Sequence, residues 1–230
     1  IASVAIVYLI TIVFSNFTIN YHPTTKDIEQ NNYSFTTKFS SVLGIILNLI
    51  QINFFDEGIN RLYETLSLFK YFTIQSNILV AVYFILLLSG KYKDSKLFKD
   101  LFGTVFISIS VTGFVFATYL EWTYVSHGLY KWSSFFNHYV SPILVIVYLI
   151  KNRFDFNFEK KNIKLWLIFP VTYLVFLLVF GAITNDFIYP FFQIDEIGVL
   201  WFIIDIIVLI LFFFGLSFLL VKIFSKKNNA

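Results

Sequence analysis

The chain has no cysteine, no methionine, four prolines and nine glycines in 230 residues. Without a thiol, disulfides, cysteine nucleophiles and cysteine-held metal centres are excluded. Charge is scarce as well: Asp, Glu, Lys and Arg make up 13% of the residues, whereas a soluble domain carries about a quarter. The three histidines show no metal-type spacing with carboxylates, and neither a glycine-rich phosphate loop nor an internal repeat is evident. No cofactor is expected. The formal charge of +3 gives no reason to expect a nucleic-acid partner, because the lysines cluster beside the ends of apolar segments.

What is abundant is apolar surface. Hydrophobic residues form 58% of the chain and phenylalanine alone supplies 31 positions. A bilayer span takes about 20 apolar residues. Candidate spans run over 1–16, 39–55, 69–89, 101–120, 135–150, 165–183 and 199–224. Helices must carry them, since hydrocarbon offers no water to open backbone groups and the runs are too long and too uniform for barrel strands. The expected fold is therefore an all-α polytopic membrane helix bundle. It has a six-helix domain over 39–230, preceded by a hydrophobic segment and polar connection over 1–38. The first run is either an extra N-terminal helix or the apolar core of a signal peptide.

Orientation follows from the basic residues. Fourteen of the 17 lysines and arginines fall in alternate connections: before the second span, in 90–100, in 151–164 and in the tail. Those segments are expected on the cytoplasmic side of the cell membrane, together with the C-terminus. Asp56, Glu57, Glu64, Glu121, Asp186, Asp195 and Glu196 all lie on the opposite connections, and Trp122 and Trp132 bracket one of them. The richness in Phe, Ile, Asn and Lys points to AT-rich coding, as in a low-GC bacterium.

Several polar residues interrupt this pattern. FKYFTIQSNILV, residues 69–80, opens a span with Thr73, Gln75, Ser76 and Asn77. Thr73, Ser76 and Asn77 share one helix face at i, i+3 and i+4, and Thr73 is expected one turn below the outer surface. His138 enters from the same side and is expected about 5 Å deep at roughly 1.5 Å per residue. Pro142 follows it and cannot donate an amide to the carbonyl of residue 138. Asp205, in WFIIDIIVLI, needs a partner or a proton at such depth. Two readings are open for these groups. Polar side chains glue membrane helices together; alternatively, they converge on chemistry. In the second reading Thr73 is the nucleophile, His138 the general base and then acid, and Asp205 the carboxylate that orients it. Ser76, Asn77 and Tyr139 are available as oxyanion donors, and Trp122 joins them as a substrate contact.

Three motifs together carry a resemblance: FKYFTIQSNILV, then VTGF at Val111 with NHYVSPIL at Asn137, and IYPFFQID at Ile188. They resemble the androgen-induced-gene and FAR-type integral membrane family, in particular its six-helix bacterial members. Eukaryotic relatives are intramembrane threonine hydrolases that split fatty acid esters of hydroxy fatty acids. The resemblance covers roughly 39–224 and implies Thr73 as nucleophile and His138 as its histidine. Where bacterial members commonly carry an Asp-Trp pair after the histidine helix, this chain reads VYLIKNRF. The implied partner is a membrane lipid or lipid ester. Two other functions fit the same residues: an acyltransferase using the same pair, and a non-catalytic helix-bundle subunit or scaffold with protein partners in a larger membrane complex.

Overall fold

Apolar runs of this length form helices, and helices account for the regular structure of the described residues. The computed structural model describes residues 25–123 and 126–225. The chain divides into the units Ile1–Asn32 and Tyr33–Ala230, and the second contains the candidate site. The expected span over 1–16 lies outside the described residues.

Helix α1 (Thr25–Ile50) ends in a π-helical turn, Gln51–Phe55. The short α2 (Arg61–Ser67) and a 3-10 turn, Leu68–Lys70, lead to α3 (Phe72–Leu88). Next come α4 (Lys96–Thr118), α5 (Gly128–Phe135), a π turn (Phe136–Val140) and α6 (Ser141–Lys151). The helices α7 (Asn162–Thr184) and α8 (Ile194–Phe224) complete the bundle. Among the described residues five helical rods are long and apolar enough to cross a bilayer, with α5, the π turn and α6 counting as one, and a sixth arises if α2 and α3 are one span bent by 76°. Five of the six spans expected over 39–224 thus fall on long apolar helices, and the run from 69 to 89 falls on the bent pair.

Their starts differ from expectation in two places that matter. The span expected from Phe69 breaks at Tyr71, whose ψ of 132° is extended, so Thr73 is the second residue of α3 and not a residue one turn inside it. The span expected from Phe135 begins at Gly128, which puts His138 roughly 15 Å along the rod. Both shifts come from tertiary partners that local hydropathy does not register.

Helix α4 is the hub, packing on α3, α6, α7 and α8. At the lysine-rich end the bundle is closed by aromatic packing. Tyr83 stacks on Phe98 at 4.4 Å, Phe102 on Phe156 at 4.8 Å, and Phe158 meets Trp166 edge-on at 5.0 Å. The Trp166 indole donates to the carbonyl of Asp100 at 2.6 Å and lies so close to Gly103 that a Cβ there would fall 2.1 Å from the ring. This packed end anchors the helices whose other ends form the site.

Candidate active site

The break at Tyr71 creates a helix start inside the protein, and its amides need acceptors. The Phe72 amide donates to the hydroxyls of Tyr173, on α7, and Tyr189, in the connection before α8, at 3.1 and 2.9 Å. The Tyr173 hydroxyl in turn donates to the carbonyl of Lys70 at 2.9 Å. Two tyrosines thus hold the bend open. Burial pushes the Tyr189 hydroxyl up to about 12, so it stays protonated at neutral pH. The amide of Thr73 meets no acceptor among the described residues.

Across from Thr73, the backbone of the α5–α6 rod is loosened. The Ser141 amide bonds the carbonyl of Phe136, the i+5 pattern of a π turn. The next amide would belong to Pro142, which has none, so the carbonyl of Asn137 loses its π-turn donor. Asn77 replaces it. Its side-chain amide donates to the Asn137 carbonyl at 3.2 Å and to the Thr73 carbonyl at 2.9 Å. One buried carboxamide therefore ties the helix of Thr73 to the backbone beside the histidine. Gly113 of α4 admits the loosened turn: a Cβ there would sit 2.9 Å from the His138 carbonyl.

The result is a Thr–His pair. Thr73 Oγ1 lies 3.1 Å from His138 Nε2. His138 Nδ1 lies 2.9 Å from the Ser134 carbonyl and 3.1 Å from the Ser134 hydroxyl. A carbonyl only accepts, so Nδ1 carries the hydrogen and Nε2 presents its lone pair to the threonine. The ring stacks on Phe116 at 3.7 Å between centroids with planes 10° apart, which fixes its plane.

The other expected site residues have different duties. Ser76 and Asn77 are fully buried; the Ser76 hydroxyl bonds the Thr73 carbonyl at 3.1 Å and Thr112 at 2.8 Å, so neither faces the space where an oxyanion would form. They position Thr73 instead. The Tyr139 hydroxyl donates to Glu121, and Trp122 is 83% exposed; neither lines the cavity at Thr73. Asp205, half-buried on α8, has no hydrogen bond or ion pair among the described residues. It does not orient His138, because the carbonyl one turn earlier on the same helix already holds Nδ1. Sequence reasoning missed Ser134, Phe116, Tyr173 and Tyr189. Of these, only Ser134 had a local signal, its i−4 spacing from His138.

The pair opens into a chamber of about 610 Å³ whose wall includes Thr73, Ser134, His138 and Tyr189. Its rim carries Lys70, ion-paired with Asp186 at 3.2 Å. Burial pushes the Asp186 carboxyl up, but the Ile188 amide and the Lys70 ammonium outweigh it and hold the carboxyl below its ordinary range. On its other side Thr73 borders a narrow apolar slot of about 50 Å³ between α3, α4, α7 and α8. Among the described residues no cluster of His, Asp and Glu has the makings of a metal site.

By fold and site, then, this is an all-α helical bundle, membrane-type in composition, with a threonine hydroxyl bonded to an oriented imidazole on a cavity wall. Comparison with family models, with curated proteins and with solved structures returned no match.

Proposed function

We propose that the chain is a membrane-embedded hydrolase of lipid esters that works through an acyl-threonine intermediate. The observation that carries this reading is the 3.1 Å contact of Thr73 Oγ1 with the lone-pair nitrogen of His138, at the wall of a chamber with room for substrate. Nucleophile and base in hydrogen-bond reach, with the base held by a third group, are the parts that acyl transfer requires. The motif resemblance to intramembrane threonine hydrolases points the same way.

In this mechanism Thr73 Oγ attacks the ester carbonyl while its proton passes to His138 Nε2. The imidazolium keeps its Nδ1 hydrogen on the Ser134 carbonyl, which stabilises the positive ring. The developing oxyanion meets the unengaged amide of Thr73 and the positive end of the α3 dipole. His138 then gives its proton to the departing alcohol, and a water deprotonated by His138 cleaves the acyl-threonine. An alcohol in place of that water would make the same pair an acyltransferase. The reading places the protein in the cell membrane with its C-terminus cytoplasmic, supported by the 14 of 17 basic residues on one set of connections, and takes a membrane lipid ester as its partner.

The test is ester hydrolysis by purified protein in detergent, with wild type, Thr73→Ala, His138→Ala and the double variant. Each single variant should lose at least about 10³-fold in turnover, and the double should be little worse, because the two groups act as a unit. Full activity in either single variant sinks the reading and leaves a non-catalytic helix-bundle subunit as the better account.

A further inference from the structure

Thr73, Leu120 and Tyr189 border two spaces of opposite character. The chamber on the His138 side is rich in hydroxyls, with Tyr63, Ser67, Tyr71, Ser126 and Tyr130 on its wall. Tyr130 donates its own hydrogen to Asp56 at 2.6 Å, which leaves its oxygen free to accept. The lysine and carboxylate of this wall are Lys70 and Glu64, with His127 and His138 as its imidazoles. Lys70 is neutralised by Asp186 at 3.2 Å, while among the described residues no lysine or arginine pairs with Glu64. The chamber thus has no spare lysine or arginine and one spare carboxylate, a poor site for a substrate's carboxylate or phosphate. A neutral head that both donates and accepts hydrogen bonds suits it.

The space on the other side is narrow and mostly apolar. Its wall includes Phe72, Val111, Val115, Leu177, Leu209 and Phe213. It shares Pro170, Leu174, Leu209 and Phe213 with an apolar groove of about 40 Å³ between α7 and α8. There Val171, Ile210 and Phe214 are 54%, 39% and 43% exposed, so the groove ends on surface suited to bilayer contact. Spaces this narrow leave no room for two chains side by side and offer apolar contact to one.

We propose, building on the hydrolase reading above, that the substrate is a monoacylglycerol-class ester: one acyl chain in the α7–α8 slot, a neutral glycerol head in the hydroxyl-lined chamber, and the ester carbonyl at Thr73. Thr73 Oγ forms a bond to the acyl carbon, the bond from that carbon to the glycerol oxygen breaks, and glycerol leaves with the proton from His138. Water then releases the fatty acid and restores the threonine hydroxyl. The net change is ester plus water to fatty acid plus glycerol. An ester whose alcohol half bears a free carboxylate, such as a fatty acid ester of a hydroxy fatty acid, sets its charge against Glu64.

The discriminating pair is 1-palmitoylglycerol and its phosphate, lysophosphatidate, which share the ester and differ in head charge. With the intact purified protein, kcat/KM should favour the neutral ester by about tenfold or more. Glu64→Lys should shrink that ratio at least about tenfold. Leu209→Trp, which fills the slot, should lower the palmitoyl ester's rate relative to the butyryl ester's. Equal or better cleavage of lysophosphatidate, or a palmitoyl hydroxystearate with free carboxylate outpacing its methyl ester, overturns the inference while leaving the hydrolase reading intact. Silence on every ester fails both, and fails the hydrolase reading first.

Discussion

At the scale of single residues, the Thr73–His138 pair depends on side chains that do not line the cavity. Asn77 is the clearest case. It lies at i+4 from Thr73, and its amide holds the Thr73 carbonyl and the Asn137 carbonyl at once. Removing it leaves the Asn137 carbonyl without the donor that replaces its missing π-turn amide, a loss of about 1–3 kcal/mol for a buried unsatisfied group. Asn77→Ala should therefore lower stability by that amount in thermal or denaturant unfolding. It should also cut kcat by about tenfold or more with little change in KM, because the Thr73–His138 geometry slackens while the chamber survives. A variant as stable and as fast as wild type would return Asn77 to ordinary helix packing.

Among the elements, the two departures from regular α-helix matter most. The bend at Tyr71 delivers a helix N-terminus to Thr73, and the π turn before Pro142 turns His138 toward it. Both are interruptions that a hydropathy profile smooths over. The second depends on α4 coming close, which Gly113 permits: a Cβ there would lie 2.9 Å from the His138 carbonyl and 3.0 Å from the Pro142 ring. Backbone and a proline ring yield little. Gly113→Ala should overpack this contact at a cost of about 1–3 kcal/mol and push the rod outward, lowering turnover more than it lowers melting temperature in proportion. An unchanged Michaelis complex and turnover in Gly113→Ala would mean that the α4 contact does not set the histidine's place.

For the molecule as a whole, the lysine-rich end and the site end lie at opposite ends of the bundle, and the two can be tested separately. The chain contains no cysteine, so single cysteines at Lys96 and Gln193 report sidedness directly. In intact cells an impermeant maleimide should label Gln193→Cys and spare Lys96→Cys until the membrane is opened; equal labelling of both would overturn this topology, and the reverse pattern would put the site in the other leaflet. At the lysine-rich end, Glu159 ties the start of α4 to the connection before α7 through Lys96 at 2.8 Å and Lys161 at 2.7 Å. Hydrogen bonds from Lys161 and Lys96 lower its carboxyl from the ordinary 4.5 to about 2. A folded value below the unfolded one means that the tie stabilises above about 4.5 and is lost as pH falls through about 2. The melting-temperature gap between wild type and Glu159→Gln should thus be present at pH 6, shrink toward pH 2 and narrow in high salt, since the pair is exposed to solvent. A gap that does not change with pH would show that the tie contributes nothing.

The sequence by itself determined the all-α class and the long apolar helices, because burying backbone in hydrocarbon leaves one economical solution and apolar length reports it. It also pointed to Thr73 and His138, since a polar group inside an apolar run stands out against its neighbours. It determined that Pro142 would loosen the rod, a local consequence of a missing amide. What only the tertiary structure decided was where α3 begins, because Tyr173 and Tyr189, a hundred and more residues away, supply the acceptors that stabilise the break. It decided too that Asn77 is spent on two carbonyls and that Asp205 stands apart from the histidine. Residue type and depth say which groups need partners; the crossing of helices, set by packing at Gly113 and around Phe116, says which partners they find.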